Sequence, residues 1–197
     1  MREGDQLIDV VARAPGDERA RLAALAEINI HTAGGRYVPL AQLARIRYER
    51  NDLEGAQQHA QQAAHLAQQL EATDRLAACT LFAARLRLTG GDLDGAAALA
   101  AEAADTERRH QFTQRTPDVA TIQTLILLRR GDLQGALAAA QELPLSRARV
   151  LSAMGDATAA LALLEPLRQE AETKGWADER LRLMVLQALA FKAQGNE

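Results

Sequence analysis

The chain has 197 residues, of which 48% are hydrophobic but only 3% aromatic. Alanine and leucine, both good helix formers, make up most of this difference, and the β-branched and aromatic residues that strands favour are scarce. The composition therefore predicts an all-α fold. The formal net charge of -3 lacks the basic excess that non-specific nucleic-acid binding needs, so no direct nucleic-acid binding is expected.

The sequence shows no feature of export or of membrane insertion. Its first residues are polar and acidic, and no apolar run approaches the roughly twenty residues that span a bilayer. Cys79 is the only cysteine, so no disulfide can form within the chain. We therefore predict a cytoplasmic protein without a membrane contact, in which Cys79 is a small buried thiol of an Ala-rich helix.

Residues 1–33 form the first predicted region and remain unassigned to any repeat. One or two helices are expected around residues 6–13 and 18–29, because Pro15 and Gly16 break the pattern between them. Gly34 and Gly35 then predict a loop. Residues 34–197 form the second region, which is internally repeated.

The repetition lies in a short motif that reads Asn/Gly-Asp-Leu-x-Gly-Ala in its clear copies. These copies begin at Asn51, Gly91 and Gly131, with a looser copy at Gly155 and a half copy at Gly195. The second motif residues are Asp52, Asp92, Asp132, Asp156 and Asn196, at steps of 40, 40, 24 and 40 residues. Equal steps of this kind indicate a repeat architecture.

Each copy predicts a junction between two antiparallel helices. Glycine and asparagine tolerate the left-handed conformation just past a helix end, and aspartate and asparagine are preferred N-caps of the next helix. One helix therefore ends and the next begins within about two residues, which forces the pair antiparallel.

Helical periodicity flanks every junction. A small residue eight positions before the cap and an alanine four positions after it, such as Ala84 and Ala96, let the paired helices approach closely. Because Pro144 ends the helix after Asp132 early, the 24-residue step is a compressed repeat with a local bend. First helices are predicted near residues 38–50, 76–89, 118–130, 145–154 and 179–194, and second helices near 53–71, 93–110, 133–142 and 158–174.

The small residues on either side of the cap match the tetratricopeptide pattern, and three longer stretches extend the likeness. These are the stretch from Gly35 that runs into LARIRYERNDLE, the segment ARLRLTGGDLDGA at 84–96, and the tail LMVLQALAFKAQG at 183–195. They resemble repeats of the LuxR-type large ATP-binding transcriptional regulators, the MalT-like group. The resemblance covers residues 34–197 and implies a right-handed solenoid of antiparallel helical hairpins.

Regulators of this group carry an N-terminal P-loop ATPase, a central tetratricopeptide-like sensor and a C-terminal helix-turn-helix. The present chain has neither the G-x-x-x-x-G-K-[ST] motif nor the DNA-binding segment. The resemblance therefore implies a sensor without a cofactor of its own, which binds a small effector and relays it to the NTPase and helix-turn-helix domains of a parent chain. The alternative is a scaffold that takes a peptide or helix in its groove.

No pattern of catalytic residues is present. The four histidines lack zinc-ligand spacing, and neither a nucleophile motif nor a phosphate-binding loop occurs, so the chain is not expected to be an enzyme or to hold a metal.

The resemblance implies that first helices line a concave groove, with the seventh and fourth residues before each cap facing it. Arginines hold the seventh position in three repeats, and their planar donor forks suit carboxylates, phosphates or sugar hydroxyls. The alternative is that each arginine pairs with a carboxylate of a neighbouring repeat and braces the stack. The candidate site residues are Arg45, Tyr48, Arg85 and Arg149.

The last predicted helix is apolar around much of its circumference. The large apolar residues that it carries, more than one buried face would need, are Leu181, Leu183, Met184, Val185, Leu186, Leu189 and Phe191. The chain stops at the junction where a partner helix should begin, so we expect a repeat domain truncated at its C-terminal end. The uncovered surface predicts end-to-end or two-fold self-association through residues near 180–194, whereas in a parent protein the following helix would cover it.

Overall fold

A computed structural model describes residues 29–31, 37–111 and 116–195 of the chain. The fold divides into two compact units, Met1–Ala72 and Thr73–Glu197. The helices predicted around residues 6–13 and 18–29 and the Gly34-Gly35 loop lie outside the described residues, apart from Asn29, which begins a strand.

The first unit contains a strand pair followed by a helical hairpin. Strands β1 (Asn29–His31) and β2 (Tyr37–Pro39) are antiparallel, with Ile30 opposite Val38. Helices α1 (Leu40–Glu49) and α2 (Leu53–Gln69) pack against each other. The helix predicted from residue 38 therefore begins two residues later. The reason is local, because a proline disfavours helical geometry in the residue before it and so keeps Val38 extended.

The second unit is built from helices alone among its described residues. Each helix packs on the next in sequence, and first helices of successive hairpins also contact one another, α3 with α5, α5 with α7 and α7 with α9. The prediction of an all-α repeat fold is confirmed. The helices are α3 (Thr73–Thr89), α4 (Leu93–His110), α5 (Thr116–Arg130), α6 (Leu133–Ala139), α7 (Pro144–Ala153), α8 (Ala157–Thr173) and α9 (Ala177–Ala193).

The junction within each hairpin has the predicted chemistry. Gly91 has a φ of 85°, which lies in the left-handed region where glycine carries no steric cost. The side chain of Asp92 then accepts a hydrogen bond from the backbone N–H of Gly95, at 2.8 Å. The same N-cap bond forms at Asp52, Asp132 and Asp156. The prediction of Asp N-caps at these four junctions is confirmed, while Asn196 lies outside the described residues.

Small residues let the paired helices approach closely, as predicted. Ala84 of α3 and Ala96 of α4 are both fully buried where the two helices meet. Thr124 takes the small position of α5 and satisfies its hydroxyl by donating to the Ala120 carbonyl at 2.8 Å. A large side chain at these positions would separate the helices, so the alanine content of the sequence sets the hairpin spacing.

The compressed repeat lies at α6 and α7. Helix α6 has only seven residues, and Pro144 occupies the first turn of α7, where its missing N–H costs no hydrogen bond. Ala136, Ala140 and Val150 form a small core between the two helices. None of the helices in the described part of the chain is long and apolar enough to cross a membrane.

Candidate binding face

Three first helices of the second unit place equivalent residues in a row. Helices α3, α5 and α7 contact one another in that order, and the seventh residue before each cap is Arg85, Leu125 and Arg149. In each helix the preceding residue is buried. Because successive residues are about 100° apart around a helix, burial of that residue turns its successor towards the edge of the packed interface. We call the surface formed by Arg85, Leu125, Leu128, Arg149 and Ser152 the arginine face.

Arg85 lies near enough for its positive charge to act on Arg149, although 64 positions separate the two residues in the sequence. Arg85 is half-buried, and Arg149 keeps part of its side chain exposed while neighbouring atoms displace water from the rest. Loss of water around Arg149, and secondarily the positive charge of Arg85, lower the pKa of the Arg149 guanidinium. No ion pair to either arginine is found among the described residues. The fold therefore places two like charges near each other, and no carboxylate among the described residues pairs with either of them.

Between the two arginines lies a weakly polar strip. Leu125 and Leu128 of α5 are half-buried, so part of each side chain is accessible. Ser152 of α7 donates its hydroxyl to the Ala148 carbonyl at 2.9 Å, which leaves its oxygen able to accept. Arranged this way, the arginine face offers guanidinium donors at its two ends and apolar contact in the middle.

The other two predicted site residues, Arg45 and Tyr48, lie on α1 in the first unit. Arg45 is exposed and pairs with Glu49 of its own helix at 3.4 Å, and Tyr48 is half-buried. The bracing alternative required a carboxylate of a neighbouring repeat, which Glu49 is not. That Arg45 and Tyr48 share a groove with Arg85 and Arg149 stays a prediction.

Arginines that brace the fold stand at other positions. Arg87 and Arg47 bind the capping residues Asp92 and Asp52 of their own hairpins, at 3.0 Å and 2.6 Å. Arg130 of α5 reaches Asp94 of α4 at 2.6 Å and so links two hairpins. The bracing role of these three arginines was not predicted from the sequence. An arginine five positions before a capping aspartate was the feature that could have identified the first two.

The last helix, α9, exposes the apolar surface that the sequence predicted. Its exposed large apolar residues are Leu181, Met184, Val185, Leu189 and Phe191, each between 47% and 63% accessible. No group of three His, Cys, Asp or Glu side chains in the described ranges is placed to hold a metal ion.

A family model described as the MalT-like TPR region matches residues 21–197. The chain belongs to this family. The recognition made from the repeated motifs is thereby confirmed, and the match begins at residue 21, ahead of residue 34, where the repeat domain was predicted to begin. No curated protein and no solved structure matches the chain. The arginine face is thus a feature of the first helices of a MalT-like TPR region.

Proposed function

We propose that this MalT-like TPR region is a non-catalytic sensor, which binds a small effector on the arginine face and relays the binding to linked NTPase and DNA-binding domains. The observation that carries the proposal is the pairing of Arg85 and Arg149, two arginines at equivalent repeat positions without a carboxylate partner among the described residues. ATP and DNA binding belong to the linked domains, and the protein works in the cytoplasm.

The chemistry of the face defines the class of effector. Two neighbouring guanidinium groups repel each other, and an anion between them replaces that repulsion with attraction. Each fork binds a carboxylate or phosphate through two parallel hydrogen bonds, or a pair of hydroxyl groups less strongly. Leu125 and Leu128 contribute apolar contact for the middle of the molecule. A small anionic or polyhydroxylated effector fits these requirements.

The arrangement also provides a route for the relay. An effector held by Arg85 and Arg149 binds α3 and α7 at once, across the intervening α5. The effector binds more tightly when the helices pack so that one guanidinium group lies at each end of the effector. A ligand with such a preference shifts the population of the protein towards that packing, and this difference in affinity is what a linked domain can detect.

Thermal-shift screening of carboxylates, phosphates and oligosaccharides identifies ligands, and calorimetric titration then measures their affinity. Replacing both arginines, Arg85→Ala with Arg149→Ala, should weaken binding by a factor of 100 or more, since each hydrogen-bonded charge contributes about 1.5–3 kcal/mol. The double lysine variant should recover part of the affinity, because it restores charge without the fork.

The matched control is Arg147→Ala, which removes an exposed arginine two positions before Arg149 on the same helix. It should leave affinity within about twofold if binding depends on the face and not on overall charge. A ligand that binds the double alanine variant as tightly as the wild type contradicts the assignment of the site. A chain that binds none of these compounds but takes up an acidic peptide supports the alternative, a protein-interaction scaffold.

A further inference from the structure

The exposed side of α9 has an internal symmetry that its sequence alone did not make evident. Leu183, Leu186 and Ala190 bury the opposite side of the helix against α8 and α7. The exposed side carries Leu181, Val185 and Leu189, spaced four residues apart, so all three lie along one stripe of the helix. Val185 is the centre of this stripe.

A charged residue stands at each end of the stripe, seven positions from Val185. Asp178 lies in the first turn of α9 and Lys192 in the last turn, and both are exposed. Seven residues make about two helical turns, which puts Asp178, Val185 and Lys192 on the same side of the helix. Neither charge has an ion-pair partner among the described residues, whereas Arg182, beside the stripe, pairs with Glu179 at 3.6 Å.

This pattern is self-complementary in one orientation only. A second α9 laid antiparallel across the first, with the two-fold axis at Val185, sets leucine against leucine at both ends of the stripe and aspartate against lysine beyond them. A parallel arrangement sets aspartate against aspartate and lysine against lysine, which is repulsive. The acidic end of the stripe also makes an anionic membrane surface a poor partner.

We propose that the Asp178–Lys192 side of α9 binds the same side of a second copy of this chain, antiparallel, with the two-fold axis at Val185. Leu181 of one copy then packs on Leu189 of the other, and Asp178 of each copy faces Lys192 of the other. This surface is inferred only from residues of the last helix and does not rest on the effector proposal.

Cysteine pairs test the register directly. Val185→Cys should form a disulfide between copies under mild oxidation, because the axis brings residue 185 against itself. Leu181→Cys alone and Leu189→Cys alone should not form one. Each of these residues lies about 12 Å along the helix from the same residue of the other copy, beyond the roughly 7 Å between Cα atoms that a disulfide spans. A mixture of the last two variants should cross-link. The native Cys79 is buried and provides the background control.

Charge exchange tests the orientation in solution by sedimentation equilibrium. Asp178→Lys should weaken the dimer about tenfold, because two exposed ion pairs become two repulsions, and Lys192→Asp should do the same. The double exchange should restore the affinity of the wild type. High salt should reduce all these differences.

Val185→Asp should abolish dimerisation, whereas Met154→Asp, which adds the same charge to an exposed apolar residue of the α7–α8 turn, should not. Circular dichroism confirms that each variant keeps its helices. A chain that stays monomeric at high protein concentration overturns the proposal. So does a cross-linking pattern in which positions 181 and 189 each pair with themselves, because only a parallel dimer gives it.

Discussion

The contact between Asp92 and Gly95 in a hairpin junction predicts a change of sign in a stability measurement. Asp92 uses one carboxylate oxygen to accept from the Gly95 N–H at 2.8 Å and the other to accept from Arg87 at 3.0 Å. A Cβ atom added at Gly95 would overlap that carboxylate. Gly95→Ala therefore fits only if the Asp92 side chain swings away and gives up both bonds.

Opposing effects of similar size determine the outcome in the wild-type background. Alanine is favoured over glycine inside a helix by about 1 kcal/mol, but loss of the N-cap costs about 0.5–2 kcal/mol and loss of the exposed ion pair up to about 1 kcal/mol. At the middle of these ranges the costs outweigh the gain, and Gly95→Ala should destabilise by roughly 0.5–1 kcal/mol. In an Asp92→Ala background no carboxylate obstructs the new methyl group, and the same change should stabilise by about 1 kcal/mol.

Urea unfolding of the four proteins in this cycle measures a coupling that we expect to be roughly 1–2 kcal/mol. The matched junction at Asp132 and Gly135 has the same cap bond at 2.8 Å but a leucine, Leu127, five positions before the cap. Its coupling should be smaller by the contribution of Arg87. Equal effects of Gly95→Ala in both backgrounds would show that the cap and the glycine are independent, and the reasoning would fail.

Three further changes probe other parts of the fold. Gly91→Val should lower the free energy of unfolding, measured in urea, by about 1–2 kcal/mol. The φ of Gly91 is 85° and no neighbouring atom would clash with the added Cβ atom, so the whole cost is backbone strain. Ala136→Leu, at a fully buried helix contact, should lower the melting temperature through overpacking of about 1–3 kcal/mol. Hydrogen bonds from Arg168, then Gln169, lower the pKa of Glu165 from 4.5 to about 2. The stabilisation from Glu165 is therefore complete above pH 4.5 and is lost as pH falls through about 2. In Glu165→Gln, the melting temperature should depend less on pH between these two values.

The hairpin junctions could be predicted from the sequence because their determinants are local. A left-handed residue, an N-cap and the recipient N–H all lie within five positions, so a short motif contains the whole interaction. The turns between hairpins carry at most part of this motif: Gly175 is left-handed at a φ of 69°, but no aspartate directly follows it. Helix α9 begins after Trp176 and α7 after Leu143, and neither residue caps its helix with a side chain. Residues such as Trp176 and Leu143 do not mark a helix start in the sequence, and the predicted starts of the first helices differ from the observed ones by one to three residues.

The candidate site was predictable only in part, for a related reason. Repeat position identified Arg85 and Arg149, but their proximity depends on how α5 packs between α3 and α7, which no local pattern encodes. Arg45 occupies the same position in the sequence and has a carboxylate partner on its own helix. Equivalent positions in a repeat therefore need not share an environment.

Equivalent repeat positions can also contribute to two different surfaces, the arginine face in α7 and the apolar stripe in α9. The position held by Arg149 in α7 is held by Leu189 in α9, and the position of Ser152 is held by Lys192. In α7 these positions contribute to a polar face, whereas in α9 they belong to the stripe that we assign to a second copy. Helix α7 contacts α9 directly. The two proposals can therefore be tested together: where an effector changes dimerisation by some factor, linkage requires that dimerisation change effector affinity by the same factor.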